Sequence, residues 1–449
     1  MASTTYLQRT VSSTGNRKVA TFSAWFKRSI LGERWFLNAG GNYSTGYNTK
    51  MGFDAEDGIF IMNSSGSTTL RYQTTRKFRD VSAWYHIVVA LDTTNSTSAD
   101  RVKIYVNGTR ETLFSTATVP SLNLDLEMNQ STSNKNLMAI GTRYNAGELF
   151  DGLMSHVHWC DGTALAPTVF GETDSTTGEW KIKTAPSFTP GTNGFTILRD
   201  GNTITDQSAN SNNFSLGAGA ITITKDCPSN VFATLNPLET NRNIMTSSAN
   251  GNLVIQNNNA SWKNGYSTIA TPLTGKYYME CKMISNTGTW YTHFGIQEID
   301  DLANNASGYA NYGDGAKSWS YSNNGQKNNS GSGSSYGDAI ETGDIVGIAI
   351  DCTNSKLYFS NQGVWQNSGN PESGSTGTGA ISITANQNYF LGGMIYSGYI
   401  GFNFGNGLFG TTAITTNSGN GYAGAEGASK FNYAVPSGYS ALSTKGLNT

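Results

Sequence analysis

Short runs of alternating apolar and polar residues recur along this chain, divided by turns rich in Gly, Asn, Ser and Thr. In one run, Phe22, Ala24 and Phe26 fall on every second position and share one face of an extended strand. Residues 101–108 alternate strictly and end in Asn-Gly, a pair that suits the tight turn of a β-hairpin. No helical period of comparable length competes with this pattern. It predicts an all-β protein.

Residues 343–363 contain the clearest pair of predicted strands. One apolar run ends at Asp351, a polar turn follows at residues 353–355, and a second apolar run ends in a turn that contains Asn and Gly. This order predicts a two-stranded antiparallel hairpin. The closing turn reads Asn-Gln-Gly rather than Asn-Gly, and we expect it to be longer without disturbing the sheet.

Composition supports an all-β fold with many loops. Charged residues make up 13% of the 449 residues, about half the usual share of roughly 25%. Polarity resides instead in Asn, Ser, Thr and Gly, which favour turns and exposed strands and are poor helix formers. The 37% of hydrophobic residues is enough to bury a core, which argues against disorder. The length predicts two or three domains.

Charge and cysteine usage exclude several classes of function. The net charge is −2 and no basic stripe occurs, so we expect no nucleic-acid partner. The first ten residues lack the apolar segment of a secretory signal, and no apolar run is long enough for membrane insertion. We therefore expect synthesis in a cytoplasm. The four cysteines form no Cys-x-x-Cys pair, so we expect buried thiols and no cofactor.

The N-terminal part of the chain contains an ordered set of motifs. These are Phe-Ser-Ala-Trp-Phe at 22–26, Trp-Tyr-His-Ile-Val-Val at 84–89, Lys-Ile-Tyr-Val-Asn-Gly at 103–108, Ile-Gly at 140–141 and Phe-Asp-Gly at 150–152. The set resembles concanavalin A-like jelly rolls of the laminin-G type. The resemblance implies binding of glycans or protein surfaces. Some such domains hold calcium, but their carboxylates have no match here, so no metal site is carried over.

Two histidines of the first domain have the spacing of metal ligands. His156 and His158 would lie on the same face of one strand. No Cys, Asp or Glu completes a ligand set in the sequence pattern. We therefore predict no metal site.

The C-terminal part resembles a SPRY domain, an antiparallel β-sandwich that binds partners and catalyses nothing. The resemblance rests on strands at 275–283, the hairpin at 343–363, strands at 389–405 and a closing segment at 431–439. Together with the first domain, it predicts two antiparallel β-sandwiches joined by an ordered connector. The expected boundaries are 1–165, 166–260 and 261–449.

The connector contains motifs that resemble those of tailed-phage virion proteins, especially marine ones. In order, these are Gly-Glu-Thr-Asp at 171–174, Asn-Gly-Phe at 193–195, Asn-Asn-Phe at 212–214 and Asn-Val-Phe-Ala-Thr-Leu-Asn-Pro-Leu at 230–238. The resemblance implies a virion protein made in a host bacterial cytoplasm, whose partners are other capsid or tail proteins. Since virion appendages are commonly trimeric, we expect a homo-oligomer such as a trimer.

Aromatic residues in polar sequence contexts are the candidate ligand-binding residues. Flat rings beside Asn, Asp and Ser are typical of surfaces that contact glycans and proteins. We expect these rings to be exposed on loops of the second domain, although they could instead fill the ends of the sandwich or an oligomer interface. The residues are Trp290, Tyr291, Tyr312, Trp319, Tyr321 and Tyr336.

The sequence contains no recognisable catalytic motif. Retaining glycosidases of concanavalin-like fold use Glu-x-Asp-x-x-Glu on one strand. Glu298-Ile299-Asp300 approaches it but has Ala303 in the last position, and the segment from Asp125 to Asn129 fits no better. We therefore expect no enzyme.

Three functions stay open. The first is a structural virion protein on the particle surface, as capsid decoration or as part of a head or tail fibre, with adhesion modules. The second is a dedicated receptor-binding protein that recognises a host surface glycan. The third is a polysaccharide depolymerase with an unrecognised site.

Overall fold

The chain folds into two compact units, Met1–Ile223 (unit 1) and Thr224–Thr449 (unit 2), each built almost entirely of β-strands. This confirms the predicted all-β class with two antiparallel sandwiches. The described part of the chain contains no helix that could span a membrane. The computed structural model describes residues 4–41, 46–143, 148–199, 203–238, 248–249, 251–259, 261–287, 292–298, 311–414 and 422–448.

The described residues of unit 1 form sixteen strands and two short 3-10 helices, Ser98–Asp100 and Pro167–Val169. The strands are β1 (Tyr6–Thr10), β2 (Val19–Arg28), β3 (Arg34–Gly40), β4 (Tyr47–Phe53), β5 (Ile59–Ser65), β6 (Thr68–Thr74), β7 (Trp84–Asp92), β8 (Val102–Val106), β9 (Thr109–Arg110), β10 (Phe114–Thr118), β11 (Leu137–Ile140), β12 (Gly152–Asp161), β13 (Gly171–Thr173), β14 (Trp180–Ile182), β15 (Phe195–Ile197) and β16 (Ser215–Ala218).

Two sheets enclose the core of unit 1. The first has eight strands in the order β10-β6-β5-β4-β3-β11-β1-β16, and the second has six in the order β15-β12-β2-β7-β8-β9. Aromatic rings from both meet between them: the ring centroids of Phe26 in β2 and Phe36 in β3 lie 4.6 Å apart. The predicted Asn-Gly turn joins β8 to β9, with φ of 48° at Asn107 and 78° at Gly108, as a tight hairpin requires.

Residues of the predicted connector cover the outer face of the six-stranded sheet. The ring of His158 in β12 lies 5.4 Å from that of Phe170 and 5.5 Å from that of Phe188. Trp180 Nε1 donates a hydrogen bond of 2.9 Å to His86 Nδ1. His86 Nδ1 is therefore an acceptor, and the neutral ring carries its proton on Nε2, which lies 2.9 Å from a serine hydroxyl of β2.

Acid should destabilise unit 1 through His86. Burial, together with the charge of His156, lowers the pKa of His86 to about 3, whereas an unfolded histidine titrates near pH ~6.5. As the pH falls below about 6.5, His86 binds a proton in the unfolded state but not in the folded state. The free energy of unfolding therefore decreases. Trp180→Ala exposes this ring to water and should weaken the dependence, whereas Trp180→Phe keeps the cover. Thermal unfolding measured at a series of pH values below about 6.5 would test this prediction. An equal dependence of the unfolding temperature on pH in Trp180→Ala and Trp180→Phe would contradict it.

The part of unit 2 that the structure describes forms seventeen strands and three short 3-10 helices, Gln366–Ser368, Pro371–Thr376 and Gly446–Asn448. The strands are β17 (Ser248–Ala249), β18 (Val254–Asn257), β19 (Lys263–Tyr266), β20 (Lys276–Asn286), β21 (His293–Glu298), β22 (Ser318–Ser322), β23 (Gln326–Asn329), β24 (Ser332–Ser335), β25 (Ile345–Asp351), β26 (Lys356–Asn361), β27 (Val364–Trp365), β28 (Ile381–Ser382), β29 (Tyr389–Ile395), β30 (Gly398–Asn403), β31 (Leu408–Phe409), β32 (Thr412–Ala413) and β33 (Ser440–Ala441).

The sandwich of unit 2 has one sheet in the order β17-β18-β30-β20-β25-β26-β27, in which β28 also pairs with β26 and β33 also pairs with β20. Its second sheet has the order β19-β29-β21-β22-β23-β24. The predicted hairpin is β25 paired with β26, from Asp351↔Lys356 to Val346↔Asn361. The expected longer turn after β26 is wrong. Asn361 pairs directly with Val364, because Gln362 and Gly363 both adopt positive φ, 50° and 79°, and close a two-residue turn.

A buried carboxylate fastens the closing segment of unit 2 to β20. Glu280 is fully buried, and its Oε2 accepts hydrogen bonds from Asn432 N at 2.8 Å and Asn403 Nδ2 at 3.2 Å. Its Oε1 accepts from Tyr433 N at 2.8 Å and the Tyr278 hydroxyl at 3.3 Å. Burial raises the pKa of Glu280 to about 7, against the opposing effect of these four donors.

The two-unit division differs from the predicted three parts, 1–165, 166–260 and 261–449. Strand β15 pairs with β12 and β16 pairs with β1, so residues up to 223 belong to unit 1. Residues from 224 onward belong to unit 2, where Phe232 and Leu235 are fully buried and β18 pairs with β30. The described residues of the predicted connector are strands and core residues of the flanking sandwiches. Among them, β13 and β14 form a separate small sheet.

Candidate ligand-binding sites

A groove lies on the outer face of the eight-stranded sheet of unit 1, across β3 to β6. Met51, Ile61 and Tyr72 point into the core, so the residues between them along these strands point away from it. The groove has a volume of about 240 Å³. Its lining residues are Glu33, Trp35, Asp54, Ala55, Glu56, Phe60, Arg71 and Gln73.

Two aromatic rings form the floor of this groove. The ring centroids of Trp35 and Phe60 lie 5.3 Å apart at an angle of 80°. Gly52 lies between them in the register, paired with both residues. A Cβ atom at Gly52 would lie only 2.9 Å from the Trp35 ring. Glycine at this position therefore permits the indole to lie across the neighbouring strand.

The polar rim of the groove is partly fixed by internal hydrogen bonds. Glu33 Oε1 accepts from Trp35 Nε1 at 2.8 Å. Asp54 Oδ1 accepts from two backbone amides, and its Oδ2 accepts from Gln73 Nε2 at 2.7 Å. In contrast, the exposed guanidinium of Arg71 lies 5.2 Å from the Phe60 ring centroid and forms an ion pair with no carboxylate of the described residues.

This arrangement combines a small apolar area with a polar rim, because Trp35 and Phe60 are only 3% and 9% exposed and Lys50 Nζ lies 4.7 Å from the Trp35 ring centroid. An apolar aromatic surface contacts the C–H face of a sugar ring, and a few polar groups fix its orientation through the hydroxyls. Arg71 supplies donors, and the exposed Glu56 supplies acceptors. The sequence prediction missed this site, because its residues lie within ordinary strands that only the register brings together.

A second depression, of about 400 Å³, lies in unit 2 beside the β22-β23-β24 edge and β28. One wall contains Trp319, and the opposite wall includes Ile381. The complete lining is Trp319, Lys327, Asn328, Asn329, Ser332, Gly333, Ser334, Ala380, Ile381 and Ser382.

The aromatic residues predicted as an exposed binding cluster are largely buried. Trp290 and Tyr291 lie outside the described residues. Tyr312, Trp319, Tyr321 and Tyr336 are 1%, 8%, 0% and 7% exposed and belong to the core of unit 2, so the expectation of exposure is wrong for these four. They fill the sandwich interior, as the alternative allowed, and Trp319 also lines the depression described above.

The interior position of these rings follows from their polar contacts as well as their size. The Tyr312 hydroxyl donates to Gly265 O at 3.0 Å, and the Tyr336 hydroxyl accepts from the backbone amide of Phe359 at 3.2 Å. A buried tyrosine needs such a partner for its hydroxyl. These bonds tie the 312 and 336 loops to both sheets of unit 2.

The two histidines considered as metal ligands lie at an irregularity in β12. His156 has a φ of 51°, and the register with β2 shifts between Ser155 and His158. The rings of His156 and His158 are 6.1 Å apart, and burial lowers the pKa of His158 well below its usual value. The described residues contain no group of three side chains that could hold a metal ion.

The fold is that of two β-sandwiches, each of which carries a surface depression. Residues 2–170 match the concanavalin A-like lectin/glucanases superfamily. Residues 252–373 match the SPRY domain. Both predicted domain resemblances are thereby confirmed, and the chain carries a concanavalin A-like domain followed by a SPRY domain.

Solved structures of low sequence identity resemble parts of the chain. The SPRY domain of human HERC1 is 14% identical, with a TM-score of 0.25, 33% of this chain and 87% of that chain covered. A pentraxin from Limulus polyphemus is 13% identical, with a TM-score of 0.25 and coverage of 36% and 71%. A candidate carbohydrate-binding protein from Bacteroides ovatus is 18% identical, with a TM-score of 0.31 and coverage of 47% and 56%. A comparison with curated proteins finds no match.

Proposed function

We propose that this protein is a non-enzymatic structural component of a phage virion, displayed on the particle surface, whose sandwiches bind carbohydrate and serve in host attachment. The groove of unit 1 carries the proposal of carbohydrate binding. There the Trp35–Phe60 floor lies beside Arg71, whose guanidinium has no carboxylate partner among the described residues. A ligand with an apolar ring face and many hydroxyls fits this combination.

The virion assignment rests on the resemblance of the connector motifs, two of which pack against each other in unit 1. Phe195 of Asn-Gly-Phe and Phe214 of Asn-Asn-Phe pack together, with ring centroids 4.7 Å apart. Asn212 Nδ2 donates to Gly194 O at 2.8 Å. These two motifs are therefore halves of one structural element of unit 1. A shared order of such motifs implies a shared two-sandwich architecture rather than a shared linker.

The carboxylates of the groove favour binding over cleavage. Both oxygens of Asp54 and one oxygen of Glu33 already accept hydrogen bonds from within the protein. A glycosidase needs one carboxyl group to protonate the leaving oxygen and another to attack or activate water. Glu56 is the groove carboxylate without a hydrogen bond of this kind among the described residues. A depolymerase is therefore the less favoured function.

Binding to surface polysaccharide should depend on Arg71. Arg71→Ala should weaken binding of the full chain to polysaccharide isolated from a susceptible bacterium by about tenfold, which corresponds to ~1.4 kcal/mol. Arg76 offers a matched control, since its guanidinium also lies 5.2 Å from a phenylalanine ring but outside the groove. Arg76→Ala should leave the affinity unchanged in a titration by calorimetry. Equal affinities for the two variants would contradict a role for the groove.

The place of the protein on the particle separates a surface virion component from a dedicated receptor-binding protein. We expect immunogold labelling of intact particles to mark the capsid surface or the length of a head or tail fibre. Label confined to the tail tip would instead favour the receptor-binding alternative. Complete absence of the protein from purified particles would contradict both.

A further inference from the structure

The unit 2 depression has a charge character opposite to that of the unit 1 groove. Lys327 is its one charged lining residue, and no acidic residue is among the described residues that line it. Lys327 Nζ lies 5.9 Å from the Tyr336 ring centroid and forms no ion pair with any described carboxylate. The unit 1 groove, by comparison, is lined by three carboxylates and one arginine. The linings of the two surfaces therefore differ in charge.

Unused hydrogen-bonding groups surround this lysine. Among the described residues, Trp319 Nε1 donates no hydrogen bond, and Ser332 and Ser334 are exposed on β24. The depression thus offers a cation, an indole donor and several groups that can both donate and accept.

We propose that this depression binds a carboxylated sugar residue of an acidic polysaccharide. The carboxylate pairs with Lys327, and the ring hydroxyls bond with Ser332 and Ser334, which follow Lys327 on the neighbouring strand. Ile381 supplies the apolar wall for the ring. The proposal rests on the proposed function and deepens it, because it names the class of glycan and assigns it to the second sandwich.

A sugar fits this site better than a peptide does. An acidic peptide could add to the free edge of β24, but that mode depends on a row of backbone hydrogen bonds along a strand. Strand β24 has only four residues, all exposed. The volume of about 400 Å³ lies in the range of roughly 300–1,000 Å³ that is typical of small-molecule sites, and side-chain hydroxyls and amides dominate its lining.

The test compares tetragalacturonate with its fully methyl-esterified form, using the full chain. The two probes share the same rings and differ in charge. The acid should bind at least about tenfold more tightly than the ester, as expected for a charge-assisted hydrogen bond, and the preference should shrink as salt is added. Lys327→Met should abolish it. Lys282→Met makes the same charge change on β20, outside the depression, and should preserve it.

Other outcomes would overturn the proposal. Equal affinity for acid and ester, or the same loss with both lysine variants, would exclude charge recognition at this site. Tighter binding of a glutamate-rich peptide than of tetragalacturonate would assign the depression to an acidic protein. If neither oligosaccharide binds while surface polysaccharide still binds in an Arg71-dependent manner, the inference fails and the proposed function stands. If no polysaccharide binds at all, both fail.

Discussion

Replacing Asp57 with Asn should lower the free energy of unfolding of unit 1 by about 3–5 kcal/mol, because the partner Arg28 would stay buried without a counter-charge. The side chain of Arg28 is completely inaccessible, and its Nη2 lies 3.0 Å from Asp57 Oδ1. Its Nη1 donates to Phe78 O at 2.7 Å, and Nη2 also donates to Gly32 O at 3.0 Å. These contacts hold the guanidinium in place, so it cannot move to solvent when Asp57 is neutralised.

Arg79 provides the control for this experiment. Its Nε lies 2.9 Å from Asp57 Oδ2, but its side chain is 57% exposed, and an exposed ion pair contributes less than about 1 kcal/mol. Urea unfolding of the full chain, with hydrogen exchange of β2 to assign the transition to unit 1, should show a large loss for Asp57→Asn and a small one for Arg79→Ala. Similar losses would mean that Arg28 needs no counter-charge.

Replacing Glu280 with Gln should destabilise unit 2 and release its closing segment. Each oxygen of Glu280 accepts two hydrogen bonds, whereas the amide group of Gln would point its own donors at two existing donors. Each buried donor left unsatisfied costs roughly 1–3 kcal/mol. We therefore expect a loss of at least about 2 kcal/mol, with faster exchange of the backbone amides of Asn432 and Tyr433.

Tyr278→Phe is the matched control, because it removes only one of the four donors to Glu280, at 3.3 Å, and keeps the ring. It should cost about 1 kcal/mol and leave the amides at 432 and 433 protected. Hydrogen exchange followed by mass spectrometry distinguishes the two results. Protection of the closing segment in Glu280→Gln equal to that of the parent protein would show that the carboxylate does not hold it.

Alternation of apolar and polar residues predicted the strands well where one face of a strand meets the core. The hairpin of β25 and β26 and the Asn-Gly turn after β8 both form at the predicted residues. In each case the signal is local: a periodic run and a turn whose residues tolerate positive φ. The same reasoning gave a wrong prediction at residues 361–364, where it indicated a longer turn. Gln362 there adopts a positive φ, which Asn or Gly usually adopts in such turns.

Polar neighbours were a poor guide to exposure in β22. Trp319 and Tyr321 alternate with Ser318, Ser320 and Ser322, and the sequence prediction took the serines as a sign of solvent. All three serines are buried, because their hydroxyls bond to nearby groups, such as Tyr312 O for Ser320 at 3.1 Å. A small hydroxyl with a local partner can be buried at little cost. Both faces of this strand are therefore inside.

The unit 1 groove could not be predicted from the sequence. Trp35 and Phe60 are 25 positions apart in the chain, and they meet only because both pair with Gly52 in the sheet. Strand register depends on the whole sheet rather than on the residues of one strand. For the same reason the sequence could not show that residues 195–197 and 215–218 extend the sheets of unit 1.

Polysaccharide binding without cleavage is tested most directly by titrating the full chain with surface polysaccharide from a susceptible bacterium and then sizing the polymer by chromatography. We predict saturable binding that Arg71→Ala weakens and Arg76→Ala does not, with the polymer length unchanged after prolonged incubation. Shortened polymer would identify a depolymerase, and absence of any binding would contradict an adhesion role for the two sandwiches.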